Sequence, residues 1–456
     1  MRKLSARVAL IAVGILLSSP GRDFAAVSAQ EAQQLNISLT PVGAERSGNA
    51  EGSIPAWEGG YTTAPPGYVE GNPRPDPFAG ERPLFSITAA NFKTYADQLP
   101  EGQKALFARF PDYRMDIYPT HRTAAAPRRV YDSIFANATR ARAAPEGIAY
   151  GVEGAVGGIP FPIPRSGGEI VWNHLLAFWG AAREDRIQNY VVSSDGVLDL
   201  SNQYREIVDF PYYYPGATPQ SFGDYYFKRR EISDGPPGLS GRGYLLWSPN
   251  NAASHPVQAW QYLPRERRVR KSPLLSYDTP TPDGAGIESF DDYYIFSGSP
   301  DRYDFKIVGK KEMFVPYNNN RFHGMPIATV AGKQHANPDT LRYERHRVWV
   351  VDGTLAAGKH HLSPHRRLYI DEDTWFAVYS DAWDADGRLW KFSHATMYLV
   401  PELPAVVLAS QFTYDLQGGG YVLAFTFNDE PVQYKLTQPH SAKDFAPETL
   451  AAEGIR

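Results

Sequence analysis

The chain has 456 residues, with 46 Lys+Arg against 50 Asp+Glu and a formal net charge of −4. At 43% hydrophobic and 21% charged residues it is neither a disordered acidic tail nor a basic nucleic-acid binder, and it is long enough for a sizeable core. With no cysteine, a disulfide scaffold, a thiolate metal site, an iron–sulfur centre and a cysteine nucleophile are all excluded. The 28 Tyr, 23 Phe and 9 Trp, beside 39 Gly and 38 Pro, favour short strands and many turns over a helical bundle.

Arg2, Lys3 and Arg7 precede an apolar run from Val8 to Leu17, and Val27-Ser28-Ala29 offers a small-x-small site. A basic start, an apolar run too short to span a bilayer and such a site predict a signal peptide over 1–29 and a periplasmic protein. Without a cysteine at the cleavage point the protein carries no lipid anchor of the bacterial type. Residues 30–85 are rich in Gly and Pro with little periodicity. They read as an arm lying over the body, with Trp57 as its anchor.

Helical signals follow. Thr88 can cap a segment in which Phe92, Tyr95, Ala96 and Leu99 recur at helical spacing, closed by Pro100. Shorter helices are expected over 102–110 and 131–141. The run Ile159-Pro160-Phe161-Pro162-Ile163-Pro164 reads as a stiff, extended apolar strip. Ser166 and Glu169 then form a capping box opening a helix with Val171, Leu175, Phe178 and Ala182 on one stripe. The glycine-rich loop before it lacks the lysine of a phosphate-binding loop.

After about Arg186 the pattern turns to strands. Asp195-Gly196 splits two alternating runs, and Tyr303, Phe305 and Ile307 alternate with charged neighbours. Trp390, Phe392, His394, Thr396 and Tyr398 make a second mixed aromatic face. Repeated hairpins without intervening helices imply α+β architecture in one domain over 86–456. Its helical cover would occupy about 86–185, a large antiparallel sheet about 186–430 and a C-terminal tail about 431–456.

Among candidate sites, His360, His361 and His365 are the densest imidazoles. Adjacent histidines on an extended chain face opposite ways and Gly358 and Pro364 mark a turn, so the group reads as solvated loop residues rather than a metal site. Asp371-Glu372-Asp373 and the acids from Asp381 to Asp386 read as turn residues. No G-x-S-x-G elbow occurs. Trp260 and Tyr262 share one strand face, and across a turn at 264–267 Arg268 and Arg270 share another. Those arginines suit either the head group of an amphiphile or a solvated face, and the residues do not choose between the two.

The segments Leu39 to Arg46, Ile54-Pro55-Ala56-Trp57, Trp260 to Pro264, Arg267 to Arg270 and Tyr369 to Trp375 resemble a proteobacterial family catalogued as domain of unknown function 1329. The resemblance implies a fold similar to the lipoprotein carrier LolA and receptor LolB: a strongly curved antiparallel sheet, an unclosed barrel covered by helices. The family has no established catalytic residues, so none is carried over, and no cofactor is expected. Members are discussed alongside resistance-nodulation-division (RND) exporters and outer-membrane proteins. The function so implied is a soluble periplasmic carrier of a hydrophobic small molecule, lipid or lipoprotein acyl chain. Trp260, Tyr262, Trp390, Phe392 and His394 would line its cavity, Arg268 and Arg270 would stand at the mouth, and the strip around Phe161 with the helix from Glu169 would form a lid. The alternatives are a non-catalytic envelope interaction module and a hydrolase of a hydrophobic substrate, with His394 as first candidate.

Overall fold

Alternating aromatic and β-branched residues, broken at Gly- and Asp-containing turns, can bury themselves only by pairing hairpin with hairpin. A computed structural model describes residues 26–66, 68–272 and 277–454. The basic start and the apolar run Val8 to Leu17 lie outside them.

The first part of the chain gives α1 (Ala29–Ala32), β1 (Phe85–Thr88), α2 (Glu101–Arg109), β2 (Arg114–Ile117), α3 (Arg128–Arg140), the short pair β3 (Arg142–Ala143) and β4 (Val152–Glu153), and α4 (Gly167–Leu175). A first meander follows: β5 (Ala182–Val192), β6 (Leu198–Asp209), β7 (Tyr225–Gly235), β8 (Gly243–Pro249), β9 (Gln258–Leu263) and β10 (Arg268–Lys271). After β11 (Tyr303–Pro316) come two single turns, α5 (Asn320–His323) and α6 (Ile327–Val330). The second meander is β12 (Tyr343–Leu355), β13 (His365–Asp371), β14 (Ala377–Trp383), β15 (Leu389–Val400), β16 (Ala405–Asp415) and β17 (Tyr421–Thr426). The chain closes with β18 (Lys435–Leu436) and α7 (Pro447–Gly454).

β17 pairs antiparallel with β5, Val422 opposite Val191, and so joins the two meanders into one 16-stranded sheet. β11 pairs with β12, and β2 meets β12 through one parallel pair, Tyr343 with Ile117. The order runs from β1 to β10, and these two ends do not pair with each other. The fold is therefore α+β: a large, mainly antiparallel sheet that stays open, covered by a few helices.

Several local expectations shift. The segment after Thr88 is a 3-10 turn over Phe92–Gln98, because β1 takes Phe85–Thr88 into the sheet. Ser166 Oγ accepts the Glu169 amide at 3.3 Å as expected, but the Glu169 carboxylate takes the Arg165 amide. α4 stops at Leu175 and Ala182 already belongs to β5, the chain reversing at Gly180 with φ +92°. The Pro-rich strip is pinned rather than free: Asn173 exchanges two hydrogen bonds with Phe161, at 2.9 and 2.7 Å. At the other end, Val27 is buried with its amide on Ala138 O, and the Ser28 side chain caps α1. The described residues between 30 and 84 run over the body, with Trp57 Nε1 on Ala124 O at 2.9 Å and Asn49 on Glu312 at 2.8 Å.

α2 begins after Pro100, which caps nothing with its side chain. The sheet supplies the cap instead: Asp381 on β14 accepts the amides of Glu101 at 2.9 Å and Gly102 at 2.7 Å. This seats Gly102 on the Phe392 ring so closely that an added Cβ would overlap it. Gly102→Ala should lower unfolding stability by about 1–3 kcal/mol in a urea titration. Gly238→Ala, where nothing lies within 4 Å, should stay within about 0.5 kcal/mol of the parent.

Candidate functional site

Between β10 and β11 the described chain at 277–298 forms no strand of the sheet. It lies as a strap on one sheet face and brings four acids down onto it. Asn189 Nδ2 donates to Asp283 at 2.8 Å, with Asn202 at 3.3 Å. Thr413 and Gln411 donate to Glu288 at 2.7 and 2.8 Å. Arg366 stands 3.1 Å from both Asp291 and Asp292, Lys391 Nζ is 2.9 Å from Asp292, and His361 Nε2 is 2.8 Å from Asp291. All of these acids are buried. Burial alone would raise the Asp292 pKa, but Lys391 and Arg366 outweigh it and hold the carboxyl well below the usual range. Glu288 has no cation in ion-pair reach among the described residues; burial pushes it up to about 7 despite its two donors.

Beside β7, β8 and β9 strap and sheet leave a cavity of about 100 Å³. Phe227, Leu246 and Ala259 wall it from the strands, Trp179 and Phe210 from the chain after α4 and β6, and Tyr293, Tyr294 and Phe296 from the strap. The rings brace one another: Trp179 stacks on Phe210 at 6.0 Å, and Tyr294 on Phe425 at 4.4 Å. Arg229 and Glu231 enter the wall as a pair at 2.5 Å, and Arg229 also gives Nε to Glu206 at 2.6 Å and Nη2 to Tyr204 at 2.9 Å. Burial pushes Glu231 up to about 7 against the pull of Arg229. His174 Nδ1 accepts the Ala377 amide at 3.0 Å, so its proton sits on Nε2, which donates to Phe296 O at 2.9 Å. Burial pulls that imidazole down to about 4, and it is neutral with both nitrogens committed. The Tyr294 hydroxyl is different: it is buried and meets no hydrogen-bond partner among the described residues.

The predicted site residues lie elsewhere. Arg229 pairs with Leu246 and Leu246 with Ala259, so these share the cavity face; Leu245 and Trp260 share the other. Trp260 packs on Trp247 at 5.0 Å, and Tyr262 is buried with Ile232, Leu245, Phe445 and Leu450 beneath α7. Arg268 and Arg270 are exposed on the last strand, outside the cavity wall, and Arg270 pairs with Glu266. Phe392 and His394 are fully buried on the face away from the strap, whose side of β15 is given by Lys391 and Ser393. Phe392 sits under α2, and His394 stacks on Phe412 at 4.7 Å. Burial pulls His394 down to about 3, and its Nε2 lies 3.4 Å from Tyr414 Oη. Trp390, half-buried at the start of β15, lies under the Lys391 ammonium at 4.4 Å. His361, expected in solvent, is instead buried against Asp291.

A second buried cluster joins the acidic turn to the arm. His346, Asp371 and Asp373 bring donor atoms within 4.8 Å of one another, a spacing that suits a metal ion. Arg122 already forks both oxygens of Asp373, at 2.9 and 2.7 Å. Burial would lower the His346 pKa, yet Asp371 and Glu344 on either side push it up to about 9, so it carries a proton. Guanidinium and imidazolium thus hold the place a cation would take, and the residues do not fit a metal.

The fold and site define an open-sheet protein with a small aromatic cavity, and comparison with known proteins places it in a family. The family model described as "Protein of unknown function (DUF1329)" matches residues 86–451, and the chain belongs to that family. It is 37% identical over 439 residues to the uncharacterized protein PA3922 of Pseudomonas aeruginosa, covering 95% of each. Among solved structures it overlaps an outer membrane lipoprotein-sorting protein domain assigned in Vibrio parahaemolyticus (14% identity, TM-score 0.41, 60% of this chain and 92% of that one). It also overlaps a DUF1329 family protein from Desulfovibrio piger (15%, TM-score 0.40, 59% and 91%) and a LolA superfamily protein from Nitrosomonas europaea (11%, TM-score 0.38, 63% and 100%).

The strap's acids give the fold a pH signature. A carboxyl raised from 4.5 to about 7 on folding favours the folded state below the lower value and loses that contribution as pH rises through the higher one. Stability should therefore fall between about pH 5 and pH 7 in the parent, and Glu288→Gln should flatten that part of a urea-midpoint profile.

Proposed function

We propose that this protein is a periplasmic carrier that binds a compact hydrophobic guest, an aromatic ring or short apolar chain. The observation that carries this reading is a ring-lined cavity bounded by Trp179, Phe210, Phe227, Tyr293 and Tyr294. Size limits the guest. Engineered apolar cavities of about 150 Å³ take benzene, so about 100 Å³ suits a small ring but not a long acyl chain. A lipid or lipoprotein chain would enter only if the strap lifted. The basic, apolar start of the sequence supports export, and among the described residues no helix is long and apolar enough to cross a membrane. In this reading the guest passes between an inner-membrane RND-type exporter and an outer-membrane protein, as the sequence resemblance suggests.

The close packing of both sheet faces outside the cavity favours a second reading, a non-catalytic envelope interaction module. Binding of benzene, read by the rise in thermal midpoint that it produces, separates the two. The carrier reading expects saturable binding that Ala259→Trp reduces at least tenfold by filling the cavity. Trp260→Ala should leave binding unchanged. A parent protein that takes up no apolar guest supports the module.

A further inference from the structure

The arginines singled out in the sequence are not absorbed by the cavity. From Arg265 to Lys271 the chain places Arg265, Arg267, Arg268, Arg270 and Lys271 in solvent around the β9–β10 turn and along β10. Glu266 is the one acid among them and pairs with Arg270. Among the described residues, Arg265, Arg267, Arg268 and Lys271 meet no carboxylate within ion-pair distance, so four cations stand together on a chain of net charge −4. β10 is also the end of the sheet, with no strand beyond it among the described residues.

The turn adds a second observation. Arg267 sits at φ +50°, a left-handed conformation that Gly or Asn adopts with less strain. Turn geometry therefore does not explain an arginine there. The strip also has a definite place. Lys271 pairs with Trp260 and the Ser272 amide bonds to Ala259 O at 2.8 Å, so the basic strand ends beside a residue of the cavity wall.

We propose that the β9–β10 turn and the β10 edge dock the protein on an anionic membrane surface, with the cavity held close to the lipid. A folded acidic partner would be recognised through a few buried, well-oriented anchors. Here the cations radiate from both faces of one strand and from its turn, and no large apolar side chain among them is exposed. Such an array suits a fluid layer of phosphate head groups, which attracts basic residues whatever their orientation and within a Debye length. The inference does not depend on the carrier reading, since an envelope module would use the same surface.

Co-sedimentation of the full chain with vesicles tests it. Phosphatidylcholine vesicles report any uptake by the apolar N-terminal run, and phosphatidylcholine with phosphatidylglycerol reports the charge. The expected result is binding to the anionic vesicles at low salt that is lost at high salt. The triple variant Arg265→Glu, Arg268→Glu, Lys271→Glu should lower it at least tenfold. Arg267→Gly should lower it a few-fold while its unfolding midpoint matches or exceeds the parent's, which separates lost docking from lost fold. Equal uptake by both vesicle types, or full binding by the triple variant, overturns the proposal. Binding to polyglutamate with none to anionic vesicles also overturns it, in favour of an acidic protein partner.

Discussion

The arrangement depends on four carboxyl groups that the strap carries into the interior. A buried acid is tolerated only where donors or cations meet it, so the sheet face beneath the strap has to be polar where its neighbours are greasy. Asn189, Asn202, Gln411, Thr413, Lys391 and Arg366 supply that polarity from β5, β6, β16, β15 and β13. Removing one partner from a buried pair typically costs about 3–5 kcal/mol, a large share of the 5–15 kcal/mol that holds an ordinary domain together. Such pairs add little net stability compared with apolar packing. What they fix here is position: four matched contacts leave the strap one seat, and the cavity is the gap that seat leaves over β7 to β9.

The same logic recurs where the N-terminal arm meets the sheet. Arg122 forks Asp373, Lys310 reaches Glu372 at 2.8 Å and Glu45 at 3.1 Å, and His346 lies between Glu344 and Asp371. The arm makes almost no core of its own, so charge matching and a few ring contacts tie it down, as with Trp375 Nε1 on Val42 O at 2.8 Å. Strap and arm are thus both irregular segments docked by polar contacts onto a regular sheet, one over the cavity and one away from it.

Much of this was legible in the residues. The hairpin at Asp195-Gly196, the helices near 101–109 and 128–140, the Ser166 cap and the open antiparallel sheet all follow from local patterning, and the motifs around Trp57 and Trp260 point to the family. The site was not. In β9 and β15 the ring pattern points to the wrong face: Ala259 lines the cavity, and Lys391 and Ser393 face the strap. Where both faces of a sheet are covered, ring content does not tell which face keeps a void, and a choice wrong by one residue turns every side chain to the far side. The strap itself has no periodicity to reveal it. Its signal was the run of acids at Asp283, Glu288, Asp291 and Asp292, together with Arg229 and Glu231 in the middle of a strand, where charge is out of place unless something is buried upon it.

The central claim is that the void lies under the strap and not beside the Phe392 and His394 rings on the opposite face. Xenon occupies dry apolar cavities without needing any particular chemistry, so crystals of the protein under xenon pressure test this most directly. The account predicts anomalous density bounded by Trp179, Phe210, Phe227 and Tyr294. Density confined to the neighbourhood of Phe392 and His394, with none beneath the strap, would contradict it.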